Sequence, residues 1–198
     1  MDTLVSPMGT TYRYTVNVAG QDLIIETGKL AGQAGGAVTV RVGETEVFAT
    51  ATMSKHAREG IDFFPLSVDF DAKLYAAGRI PGSYFRREGR PSEQAILSAR
   101  VVDRPLRPLF PDNMRNEVQV ILTAFSHDQE HQVDMIGITA ASTALMISNI
   151  PWNGPVAGVR IGLIDGELVV NPTISQMASS RLDLRVAGTA EAINMVEC

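Results

Sequence analysis

Residues 11–54 place short apolar-patterned runs so close together that little besides an antiparallel meander can form. TYRYTVNV (11–18) alternates, Ala19-Gly20 marks a turn, and DLIIET (22–27) returns. After GKLAGQAGG come AVTVRV (37–42), a Gly43-Glu44 turn and EVFATATMS (46–54), with PLSVDF (65–70) as a further strand. A parallel pairing needs a crossover of a dozen or more residues, and these gaps are too short for one.

Beyond residue 90 the pattern changes. Pro91-Ser92-Glu93 reads as a helix start, continued by QAILSARVVD and ended by Pro105 and Pro108. NEVQVILTAF (116–125) is a strand, and VDMIGITAASTALMIS (133–148) is a helix rich in small residues, able to pack closely on a sheet. VAGVRIGLI (156–164), Asp165-Gly166 and ELVVN (167–171) form a hairpin. LDLRVAG (182–188) is a strand, and TAEAINMVEC reads as a helix starting at Thr189 and cut short, which points to the N-terminal part of a longer polypeptide. Strands first, then helices interleaved with strands, define the α+β class.

The composition, 45% hydrophobic and 20% charged, suits a full core. The longest apolar run (135–150) falls short of a membrane span and carries Ser, Thr and Asn, so no membrane is expected. Cys198 is the single cysteine, which excludes an internal disulfide framework. With no signal-peptide pattern at the start, a reducing, cytoplasmic setting is the expectation.

Net charge is −5, yet the charge is segregated. Lys73 through Arg107 holds eight basic and three acidic residues, +5, which leaves −10 for the remainder. Seven of the eight cations are arginine, whose planar fork suits phosphate and base stacking. Such a strip fits focused polyanion binding or a solvated, salt-bridged surface. Within it RIPGSYFRREGRPSE (79–93) is bounded by Gly and Pro and must be a loop. It displays Tyr84 and Phe85 against Arg86 and Arg87: rings that can stack on bases beside cations that track a backbone. Arg100, Arg104 and Arg107 follow at spacings of four and three, and some of them could instead make helix-surface ion pairs.

Other candidates carry less. His127 and His131 echo a zinc-protease motif, but Asp128 stands where its glutamate belongs, so a polar turn is expected. Gly28 through Gly36 lacks a phosphate-cradling order, and no activated serine motif occurs. Asp62, Asp69, Asp71, Asp165, Asp183 and Glu191 are scattered, which reads as solvated strand ends.

GIDFFPLSVDF, YAAGRIPGSYFRREGRPSE, VVDRPLRPLFP, NEVQV, IPWNGPVAGVRIG, NPT (171–173) and LDLRVAGT, in this order, resemble the bacterial polynucleotide phosphorylases over essentially the whole chain. The resemblance implies an RNase PH-like α+β domain, akin to domain 2 of ribosomal protein S5. Residues 1–198 would be the first of two such cores, truncated at its C-terminus. It implies 3′-to-5′ phosphorolysis of RNA to nucleoside diphosphates, with inorganic phosphate as co-substrate and Mg2+ as cofactor. The intact protein would be a homotrimeric ring active in mRNA degradation, with proteins of an RNA-degradation complex as further partners. Tyr84, Phe85, Arg86 and Arg87 match the loop that narrows its channel around single-stranded RNA. Arg90 matches a phosphate-contacting arginine, and Arg100, Arg104 and Arg107 extend the RNA-binding set.

Active copies carry an aspartate pair just before and at the opening of the strand matched by LDLRV. That register puts Ser175 and Arg181 there, neither of which can serve as a carboxylate ligand to Mg2+. The Gly/Ser/Thr-rich phosphate loop is matched by HQVDMIG, which lacks such a run. No catalytic or metal residue is therefore expected in this chain, and the chemistry is expected in the second core. The alternative is a non-catalytic RNA-binding subunit of an exosome-like ring.

Overall fold

The computed structural model describes residues 2–6, 9–57, 60–82 and 88–198. Strands β1 (Asp2–Ser6), β2 (Gly9–Val18), β3 (Gln21–Thr27), β4 (Gly36–Val42) and β5 (Thr45–Ala57) form the expected antiparallel meander, to which β1 is an addition. The meander does not continue into β6 (Leu66–Asp71). That strand lies at the far edge of sheet A, parallel to β7 (Asn116–Ser126), which pairs antiparallel with β5. The long connection between β6 and β7, which contains helix α1 (Glu93–Leu106), allows this parallel pairing.

Sheet A buries every second residue of its central strands: Val38, Val40 and Val42, then Val47, Ala49 and Ala51, then Val118, Val120 and Leu122. Against that face lies α2 (Val133–Met146), buried at Met135, Ile136, Ile138, Ala140, Ala141, Ala144 and Leu145. On its other side α2 meets β8 (Ala157–Ile164) of sheet B, whose order is β11-β10-β8-β9. Its remaining strands are β9 (Glu167–Val170), β10 (Asp183–Gly188) and β11 (Ile193–Glu197), and a short helix, α3 (Ile174–Met177), precedes β10. The α2 layer between the two sheets needs small residues on both sides. A Cβ on Gly158 would stand 2.7 Å from Ile138 Cδ1, and one on Gly137 would stand 3.2 Å from Leu122 Cδ2.

Two readings from sequence are corrected. Residues 189–198 do not form a cut-short helix. Thr189 Oγ1 accepts from the Glu191 and Ala192 amides, which closes a turn, and β11 then pairs antiparallel with β10. Met195 is buried there, and Asn194 Nδ2 donates to Pro105 O at 2.9 Å. Pro105 itself does not end α1; it sits in the last turn, buried, where the loss of one amide is tolerable. Ser92 is the N-cap, accepting from the Ala95 amide.

Candidate nucleic-acid interface

Four of the expected RNA-binding residues, Tyr84, Phe85, Arg86 and Arg87, lie outside the described residues, but both ends of their loop are described. A 3-10 turn, Leu74–Ala77, precedes it and closes on Gly78 at φ 66°. Glu88, just past the loop, reaches back so that its Oε1 accepts from the Leu74 amide at 2.6 Å. The Ala76 carbonyl accepts from the His127 amide at 2.8 Å, which fixes the turn to the end of β7. The described flanks, Leu74 and Glu88, thus meet at one anchored point, and Arg79, Ile80 and Arg90 on those flanks are exposed.

The helix arginines divide. Arg107 forms a two-pronged pair with Asp103, through Nε at 3.0 Å and a terminal nitrogen at 2.8 Å, and also donates to Leu66 O. Arg104 reaches Glu197 at 3.3 Å. Arg90 and Arg100 are exposed and make no ion pair among the described residues. The ion-pair reading therefore describes Arg104 and Arg107, and Arg79, Arg90 and Arg100 are the described arginines of the strip left for an anionic partner.

At the positions compared with the active copies, Ser175 is the second residue of α3. Its hydroxyl and amide both donate to the Glu130 carboxylate, and these bonds hold Glu130 below the usual carboxylate range. Arg181 serves through its backbone amide, donating to Leu163 O. The residue that opens β10 is Asp183, two positions later than the register assumed from sequence. Both its oxygens are held by Arg160, at 2.6 and 2.7 Å, and that pairing pulls its pKa down. Buried Asp134, in the first turn of α2, pairs with Arg185, which also approaches Glu197; Glu197 in turn pairs with Arg104. Asp183, Asp134 and Glu197 each face an arginine, Glu130 is held by Ser175, and no group of three or more His, Cys, Asp or Glu side chains converges among the described residues. An Mg2+ ion does not fit this set. An acidic residue in the first turn of α2 also opposes an anion there. Sequence spacing held no sign of the Asp134–Arg185–Glu197–Arg104 chain, because its members come from four separate elements.

The His127–His131 segment is a connection, as expected, organised by Asp128. Its carboxylate accepts from Thr45 Oγ1, from the Glu130, His131 and Glu44 amides, and from His131 Nδ1 at 2.6 Å. Partial burial opposes the charge, but these donors outweigh it and hold the carboxyl well below its usual range.

A sheet–helix–sheet unit with these sequence blocks has known counterparts: residues 19–151 match domain 1 of the 3′ exoribonuclease family and residues 154–198 match its domain 2, and the chain belongs to that family. It is 60% identical over 183 residues to the polyribonucleotide nucleotidyltransferase of Thermomicrobium roseum, covering 92% of this chain and 23% of that protein. The protein of the same name from Thermus thermophilus is 56% identical over 186 residues, 94% of this chain and 26% of its own. The chain thus spans about a quarter of the length of these relatives. Among solved structures, the Archaeoglobus fulgidus exosome with RNA bound to the active site shares the fold at a TM-score of 0.68 and 18% identity, over 88% of this chain and 76% of that one.

Proposed function

We propose that this chain is the RNA-binding, ring-building first core of a polyribonucleotide nucleotidyltransferase, a 3′-to-5′ exoribonuclease that phosphorolyses RNA to nucleoside diphosphates. The observation that supports this reading is the pairing of Asp183 with Arg160 and of Asp134 with Arg185, which leaves neither carboxylate free for a metal ion. Mg2+ and inorganic phosphate then act in a second core, in a homotrimeric, cytoplasmic enzyme of mRNA degradation. Single-stranded RNA meets this core at the anchored loop, with Arg90 and Arg100 beside it. The 60% identity over 183 residues to part of a polyribonucleotide nucleotidyltransferase favours this reading over a freestanding exosome-like subunit.

The test is RNA affinity of the full-length enzyme at several salt concentrations. Replacing Arg86 and Arg87 together by Ala should weaken binding evenly across sequences. Removing one arginine–phosphate pair should flatten the log K against log salt slope by about 0.7. Phe85→Ala should lower affinity by about 1–3 kcal/mol with the slope unchanged, because stacking releases no counterions. Wild-type affinity and slope in the double arginine variant would make the loop structural.

A further inference from the structure

Residues 151–156, between α2 and β8, belong to no helix or strand and contain the single Asn-Gly pair of the sequence. Their packing is set by Trp152, the one tryptophan. Its Nε1 donates to Leu106 O at 3.0 Å, at the end of α1, and its ring lies 6.2 Å from that of Phe110, centroid to centroid. The Asn153 amide donates to Leu109 O at 2.9 Å. A Cβ on Gly154 would collide with the Trp152 ring, so only glycine fits there.

These bonds hold the chain as far as the Asn153 nitrogen and leave the next peptide group unengaged. Among the described residues, neither the Asn153 carbonyl nor the Gly154 amide has a hydrogen-bond partner, and the exposed Asn153 side chain has none either. Elsewhere the asparagines differ. After Asn113, Asn116 and Asn149 the next amide is engaged, by Pro111 O, Ser54 Oγ and Ser148 Oγ. After Asn171 comes Pro172, which has no N–H. The side-chain amides of Asn17 and Asn194 donate to Asp22 and to Pro105 O.

We propose that Asn153 is a site of spontaneous deamidation, in which the Gly154 nitrogen closes a ring on the Asn153 side chain. The Gly154 N–H gives its proton to solvent base, and the nitrogen attacks Asn153 Cγ. The N–Cγ bond forms, the Cγ–Nδ2 bond breaks, and Nδ2 takes a proton from solvent and leaves as ammonia. Water, the only co-reactant, opens the resulting succinimide at one of its two carbonyls and leaves aspartate or isoaspartate. Glycine favours the closure twice over: no side chain shields its nitrogen, and its backbone reaches conformations closed to other residues. Isoaspartate adds a methylene to the backbone beside Trp152, the residue that ties this segment to the end of α1. The site is independent of the RNA-binding reading.

Full-length enzyme is incubated at neutral and at mildly alkaline pH, folded and in urea, and its proteolytic peptides are separated into amide, aspartate and isoaspartate forms. In the folded enzyme the peptide carrying Asn153 should convert to both acids, faster at the higher pH because attack needs the deprotonated nitrogen. Those carrying Asn113, Asn116, Asn149 and Asn171 should remain amides over the same time. Asn153→Gln, whose longer side chain would have to close a larger ring, should show no conversion there while the thermal transition stays in place. An Asn153 that converts in urea but remains an amide in the folded enzyme would overturn the site. Equal conversion at Asn113, Asn116 or Asn149 in the folded enzyme would overturn the assignment to the unengaged peptide group, and a rate indifferent to pH would overturn the ring closure.

Discussion

Asp128 ties the β4–β5 turn to the connection before α2 through Glu44 and Thr45, more than eighty positions away in sequence. That separation is why the residue was legible only as an interruption of a metal motif. An unfolded aspartate titrates near about 3.9, and in the fold the Asp128 carboxyl lies well below that. Its stabilisation is therefore full above the unfolded value and is lost as pH falls through the folded one. Asp128→Asn should lower stability by about 1.5–3 kcal/mol at pH 7, the range for hydrogen bonds to a charged group. Urea unfolding of the two proteins should converge as the pH is taken down toward about 2. A difference that stays constant across pH would show that the charge contributes nothing. At the same scale, the readings of Arg104 and Arg107 show how far spacing reaches: it suggested ion pairs on the helix, and only the fold supplied Glu197 as a partner.

Among the elements, those with strong local patterns were legible: the meander, α1, α2 and the β8–β9 hairpin over Asp165-Gly166. The exception at the C-terminus has a local cause. Thr189, Glu191 and the alanines carry helix-start chemistry, but Thr189 caps a turn, and Ile193 and Val196 belong to a strand held by β10. The placement of β6 beside β7 was not legible, because pairing partners separated by a crossover leave no spacing signal. Helix α2 is apolar on nearly all faces, which fits a layer between two sheets. Its approach to β4 is set by Gly36, where a Cβ would collide with the Ala144 carbonyl. Gly36→Ala should therefore destabilise by about 1–3 kcal/mol or more, the range for overpacking. Gly32→Ala, with open space around it, should change stability by no more than about 0.5 kcal/mol. Equal midpoints in urea would show that α2 can shift away from sheet A without loss.

For the molecule as a whole, fold class and family were legible in contiguous blocks such as FRREGRPSE, whereas the expectation of no metal site rested on a comparison of linear positions. The comparison of linear positions picked out Ser175 and Arg181. The structure adds an arginine on two carboxylates nearby, Arg160 on Asp183 and Arg185 on Asp134. That arrangement supports the central proposal, that this core holds RNA and leaves phosphorolysis to another. The most direct measurement is nucleoside diphosphate release from poly(A) by the 198-residue chain, with inorganic phosphate and Mg2+, after a cooperative thermal transition has shown it folded. We expect no release above a protein-free control, with the full-length enzyme active under the same conditions. Mg2+-dependent release by the 198-residue chain at a rate near that of the full-length enzyme would contradict the account.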